Sequence, residues 1–220
     1  MSIFGKLFGG KKRNSGLPPE VEKIFDKMSQ LMEDEDQQNS MYPPEIRDQI
    51  VGGRDVDELL HGFGEFGRTQ DNPIPVNGSI GELIYLSNLK TQSEQRILFH
   101  RIGSVSAVDI YETVAIDGSN WDILLFSMYH PRKSRKAPTG YSIVKPGVHP
   151  LLFGTNTRVD NFPYGLHAAI RNTTSEIFGI PMPSRDVRQA EERVKFSRPP
   201  HHEKQVKSLT AELTGYRSTD

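Results

Sequence analysis

His100 and Glu112 fall at matching parity in two neighbouring runs of β-forming residues. In RILFHRIGSV, His100 shares a face with Leu98 and Ile102, and in VDIYETVAI, Glu112 shares one with Val108, Ile110 and Val114. A turn that sets residue 102 opposite 110 places His100 directly across from Glu112, and a shift of one residue removes the pair. A carboxylate so placed orients the imidazole and favours its charged form, the arrangement of a general acid and base. The same pair also serves as a satisfied buried hydrogen bond. No nucleophile stands beside them in the sequence, so the structural role is the expectation. His100 and Glu112 are the catalytic candidates if the protein is an enzyme.

The second constellation is SMYHPRKSRKAPTGY, residues 127 to 141. Arg132, Lys133, Arg135 and Lys136 crowd five positions just past the end of a strand, where a sheet presents a loop. Tyr129 and His130 add a stackable ring and a titratable donor. Such a cluster holds phosphate, arginine by bidentate contacts. Single-stranded nucleic acid would call for more aromatic platforms than Tyr129 and Tyr141. The loop therefore reads as an electrostatic contact surface for an acidic protein partner, with a nucleic acid or phosphate ligand as the rival occupant.

Other spellings carry less. GFGEFG, residues 62 to 67, has the glycine spacing of a dinucleotide loop but follows a helix pattern rather than a strand, so it reads as a helix stop with Phe63 and Phe66 in the core. His149, Asp160 and His167 would need the fold to gather them into a metal site, and HHE at 201–203 sits near the C-terminus; no metal or cofactor is expected. A G-x-S-x-G elbow, a Walker loop, an HExxH pair and an EF-hand pattern are all absent from the sequence.

The 27 basic and 28 acidic residues leave a formal charge of -1, so no global field draws nucleic acid or an anionic membrane. The lack of cysteine rules out disulfides, thiolate nucleophiles and cysteine-bound zinc, and suits a reducing compartment. No apolar run approaches the roughly 20 residues that span a bilayer, and MSIFGKLFGGKKRNSG lacks the apolar region of a secretory signal. The chain reads as cytoplasmic. Ile3, Phe4, Leu7 and Phe8 share one face of a short helix beside Lys6, Lys11, Lys12 and Arg13, a pattern for weak peripheral membrane contact of the N-terminus. Gly5, Gly9 and Gly10 weaken that helix, and a disordered tail is the alternative.

These candidates must be positioned by a small set of elements. A helix over about 19–33 is predicted from the stripe Val21, Ile24, Phe25, Met28, Leu31 and Met32, followed by EDEDQQNS as a solvated linker. Short helices follow from Pro43 to Gly52, with Ile46 and Ile50 inward, and near Asp55–His61. Residues 80–129 read as four strands, IGELIYLSNL, RILFHRIGSV, VDIYETVAI and WDILLFSMY, with Asp117-Gly118 as a hairpin signal. YSIVK suggests a further short strand, and helical patches follow near 164–170, 173–178 and beyond Ser184.

The fold class that emerges is α+β: an antiparallel four- or five-stranded meander covered on one face by N- and C-terminal helices. The expected organisation is a basic flexible tail over 1–16, a single α+β domain over 17–197, and a flexible C-terminal tail over 198–220. The expected function is a cytoplasmic, non-enzymatic binding or regulatory module that contacts an acidic protein through the basic loop. The alternative is an enzyme, hydrolytic or acting on a phosphorylated substrate, that uses His100 and Glu112.

Overall fold

Alternating β-branched and aromatic residues fold the stretch 97–127 into three antiparallel strands, and the remaining elements assemble around them. The computed structural model describes residues 23, 26, 29–144, 153–178, 185–194 and 196–217. In order these form α1 (Glu35–Ser40), α2 (Pro44–Val51), β1 (Ile74–Pro75), α3 (Gly78–Asn88), β2 (Leu89–Thr91), β3 (Ile97–Val105), β4 (Val108–Ala115), β5 (Asp122–Ser127), β6 (Tyr141–Ile143), β7 (Gly154–Thr155), α4 (Leu166–Phe178), α5 (Arg185–Val194) and α6 (Pro200–Arg217).

The main sheet has five strands in the order β1-β5-β4-β3-β7. Its centre is the expected meander, but β1 runs parallel to β5 and β7 parallel to β3, so the sheet is mixed rather than purely antiparallel. Both edge strands are two residues long and arrive from far along the chain, which leaves no run of β-forming residues to announce them. Gly154 is required at one edge: a Cβ there would stand 2.1 Å from the Phe99 ring. YSI pairs antiparallel with β2 in a separate two-stranded ribbon.

The stretch IGELIYLSNL, expected as a strand, lies in helix α3 except for Leu89, which opens β2. Nearly every residue from Gly81 to Ser87 is buried, and a short apolar run buried all round has no period that separates helix from strand. The EDEDQQNS stretch is not a solvated linker, since it forms α1 with Gln38 and Asn39 buried. Residues 55–61 form turns instead of a helix, and Phe63 is 80% exposed while Phe66 is buried. In α2, Ile50 is sealed but Ile46 is exposed. Of the helix expected over 19–33, residues 29–33 are helical with Met32 buried; most of its stripe, the 1–16 tail with its membrane contact, His149 and Ser184 lie outside the described residues.

Helices cover both faces of the sheet, not one. On the inner face Phe99, Tyr111, Leu124 and Phe126 pack with Tyr85 and Leu86 of α3, and the same core takes in Val187, Ala190 and Val194 of α5. On the outer face Ile102, Ile110 and Ile123 meet Val206, Leu209 and Leu213 of α6. The segment expected as a flexible C-terminal tail is thus largely this helix. Three apolar residues among polar neighbours do not fold alone; the sheet beneath supplies what the helix needs.

Candidate functional sites

The register pairs His100 with Glu112, as the parity argument requires, though by a different route. Gly103, not Ile102, stands opposite Ile110, and a bulge between Arg101 and Gly103 restores the pairing. Glu112 Oε2 lies 3.0 Å from His100 Nε2. His100 Nδ1 accepts the Val159 amide at 3.0 Å, which fixes the neutral tautomer: Nε2 carries the proton and donates it to Glu112. The imidazole stacks on Phe162 at 4.3 Å between centroids.

The other carboxylate oxygen has partners that sequence reasoning missed. His202 Nε2, from α6, lies 3.0 Å from Glu112 Oε1, and Arg198 Nη2 lies 2.6 Å from the same atom. Both come from the segment expected as a tail, and nothing in their spacing points to a strand 90 residues earlier. Trp121 closes the cluster, with Arg198 and His202 both against its ring and its indole N–H donated to Ser197. Glu112, His100 and His202 are 1%, 4% and 3% exposed.

Burial alone would raise Glu112, but hydrogen bonds from His100 and His202 and the charge of Arg198 hold it down at about 2. Burial pushes His100 below its ordinary value despite Glu112, with Arg198 and Arg158 further disfavouring its charge. At neutral pH this is an ionised carboxylate beside a neutral ring whose two nitrogens are both engaged. Such a ring has no proton to lend and no lone pair to offer. Through His202 and Arg198, Glu112 joins the sheet to the start of α6, and the His100 ring is buried rather than facing solvent.

The basic loop is likewise engaged from within. Arg132 reaches Asp55 at 2.5 Å and Asp57 at 2.6 Å; Lys133 reaches Glu35 at 2.9 Å and Gln38 at 3.2 Å; Lys136 pairs with Glu58. Arg135 gives its backbone N–H to Asp57 at 2.9 Å and leaves its side chain exposed. The Asp57 carboxyl is held below its ordinary value by the Arg135 amide and by Arg132. Tyr129 is half-buried and bridges to Asn77. His130 is buried, its Nδ1 2.8 Å from the Arg54 carbonyl and its Nε2 3.1 Å from Ser127 Oγ. Since a carbonyl only accepts, Nδ1 bears the proton and Nε2 accepts the Ser127 hydroxyl. The loop is a brace that ties the end of β5 to residues 35–58.

A second buried carboxyl, also missed, lies on the inner face. Glu82 of α3 accepts the Tyr111 hydroxyl on Oε2 at 2.8 Å, while its Oε1 meets no donor. Burial first, then the neighbouring Asp109 carboxylate, push Glu82 well above its ordinary value. Asp109 already takes Arg101 Nη2 at 2.6 Å, so the proton kept on Glu82 is the one it can share with Asp109.

Between α6 and the outer sheet face runs a groove of about 1180 Å³. Its floor is Ile102, Ile110, Ile123 and Leu125, and Arg68, Arg101, Arg158 and Trp121 stand around it. Arg68 is saturated by Asp122, Glu65 and the Thr139 carbonyl. Arg101 gives one Nη to Asp109 and has no partner on Nε. Arg158 faces Asp160 at 3.0 Å with side chains 49% and 83% exposed, a weak surface pair.

No family model matches the chain, and no curated protein or solved structure matches it. Among the described residues no group of three or more histidine or acidic side chains is placed to hold a metal ion, and no helix is long and apolar enough to cross a membrane.

Proposed function

We propose that the protein is a non-enzymatic binding module that receives an acidic segment of a protein partner in the groove beside α6. The observation that carries this reading is Arg158: it lines the groove beside an apolar floor, and its half-exposed guanidinium faces the exposed carboxylate of Asp160. A partner offering a carboxylate next to an aliphatic side chain satisfies both. Exchange of Asp160 for that carboxylate costs little, because the pair is exposed to solvent. The basic loop contributes Arg135 at most, because a phosphate, a nucleic acid or a second acidic surface would have to displace the carboxylates already on Arg132, Lys133 and Lys136. The absence of cysteine is in keeping with action in the cytoplasm.

The test is a photo-crosslinking side chain in place of Asn156, which lines the groove, and a second in place of Arg135. Adducts at 156 mapping to Asp- or Glu-rich peptides of one partner, and weakened by Arg158→Glu, are the expected result. Adducts at 135 alone return the contact to the loop; none at either position sinks the binding reading.

A second reading has its own observation. The hydroxyl of Ser127 and the imidazole of His130, oriented by the Arg54 carbonyl, have the geometry of a base-activated serine. This supports a hydrolytic function in place of the His100–Glu112 chemistry. An alkyl fluorophosphonate probe decides it: labelling of Ser127, lost in His130→Gln, supports hydrolysis, and an unlabelled serine ends it.

A further inference from the structure

Among the described residues, the start of helix α6 is packed more deeply than the turns from Val206 to Leu213. At the start, Arg198 and His202 grip Glu112, and His202 is only 3% exposed. Beyond it, Val206, Leu209 and Leu213 are only half-buried, with the groove opening beneath them. Leu213 rests on Gly103, where even a methyl group would stand 2.7 Å from its Cδ1. From His202 to Leu213 the helix runs about 16 Å, at 1.5 Å per residue. The ion pair Lys207–Glu203, 2.6 Å apart, lies within the helix and not against the sheet, so it is kept if the helix moves as a unit.

We propose that α6 is a flap, anchored at Glu112 and lifting at its Leu213 end, which gates entry of the acidic segment to the groove. The inference rests on the groove being the binding site, and it names how that site is regulated. Closed, the flap covers Ile102, Ile110 and Ile123 with its own apolar residues. Lifted, it exposes them beside Arg158, so that a partner segment carrying apolar and acidic residues takes the place of Val206, Leu209 and Leu213. The strong anchor keeps the helix from being lost while its far end opens. Coupling then follows from population: a partner that binds only the lifted form is weakened in proportion to the closed fraction.

The chain contains no cysteine, so thiols placed by substitution report alone. In the full-length protein, Gly103→Cys sits under Leu213 and reacts with a maleimide only when the flap lifts. Labelling much faster than global unfolding, and faster still in Leu213→Ala, is expected; labelling no faster than unfolding overturns the flap. The second measurement uses the double variant Gly103→Cys, Leu213→Cys, in which a Cβ at 103 lies 3.6 Å from Leu213 Cγ, the atom that a cysteine sulfur replaces. Oxidation is expected to cut photo-crosslinking at position 156 by about tenfold or more, as closing the competent state requires, with reduction restoring it. Capture that is equal in both redox states overturns the gating while leaving the binding reading intact. If capture is absent in the reduced and parent proteins too, the binding reading has failed, and the maleimide rates alone decide whether α6 lifts.

Discussion

Glu82 and Glu112 are 0% and 1% exposed, on opposite faces of one sheet, and their pKa values are pushed in opposite directions. Tyr111 and Glu112 are successive residues of β4, so their side chains leave on opposite sides; Glu82 meets the first, and α6 meets the second. Depth does not separate them. Glu112 receives three donors, one of them a guanidinium, whereas Glu82 receives one phenol and faces another carboxylate. Inside a protein, donors and neighbouring charges decide ionisation once desolvation has been equalised. The two faces differ accordingly: one is a sealed core around a shared proton, the other a charged clasp on a helix with a groove behind it.

The largest effect is expected from Glu112→Gln, which leaves Arg198 without its counter-charge. Stranding one member of a buried pair costs roughly 3–5 kcal/mol, and the 21% exposure of Arg198 puts this case at the lower end. Urea unfolding of variant and parent at pH 7 reads it directly. A loss under about 1 kcal/mol would mean that packing of α6, not Glu112, holds the outer face.

Acid provides an independent route to the same number. Glu112 falls from 4.5 to about 2 on folding, so its contribution is present above pH 4.5 and lost progressively towards 2. That interval corresponds to about 3 kcal/mol, in line with the substitution. His100 adds an earlier step: with its folded value depressed below 6.5, the unfolded chain takes up a proton first, and stability declines as pH drops below 6.5. In the Glu82→Gln background, which removes the opposing titration of Glu82, stability measured from pH 7 to 3 is therefore expected to fall in two stages. Adding Glu112→Gln should lose the lower one, and a single-stage fall without it would show that His100 and Glu112 titrate otherwise.

How much of this was legible in the sequence depends on what each residue's partner is. The pairing of His100 with Glu112 was legible because strand parity is a local property, although the bulge at Ile102 shows that turn counting alone would have set Arg101 there. The three-stranded meander and helices α2 and α5 came through for the same reason. Helix α3 did not, since burial on all sides erases its period. The partners of Glu112 in α6, of Glu82 in β4 and of Arg132 at Asp55 and Asp57 are tertiary, and no spacing encodes them. The basic loop misled because a run of cations looks free until the acids that face it are placed.

Arg132 offers an intermediate case between the two carboxyls. Its side chain is 12% exposed, but Asp55 and Asp57 are 67% and 43% exposed, so solvent screens the pairs. Arg132→Ala is expected to cost about 1 kcal/mol, less at high salt, because surface pairs are worth little and one backbone bond to Lys133 is lost as well. Partner crosslinking at position 156 should be unchanged. A large fall in capture with intact stability would make the loop a binding surface after all.

The smallest expected effect is also the most discriminating. Glutamine in place of Glu82 reproduces the protonated acid, with an oxygen to accept from Tyr111 and an N–H to give Asp109. Glu82→Gln should therefore alter stability by less than about 1 kcal/mol at pH 4, where both side chains are neutral. The sign then separates the parent from the variant as pH rises. A folded value raised above 4.5 means that the parent's contribution is full below pH 4.5 and is lost as pH climbs through the folded value, because the unfolded glutamate ionises and the folded one resists. The variant has no such proton and keeps its stability, so it should become the more stable protein by pH 8. If the glutamine variant instead weakens relative to the parent as pH rises, Glu82 is ionised in the fold. Burial beside Asp109 would then not be enough to hold its proton.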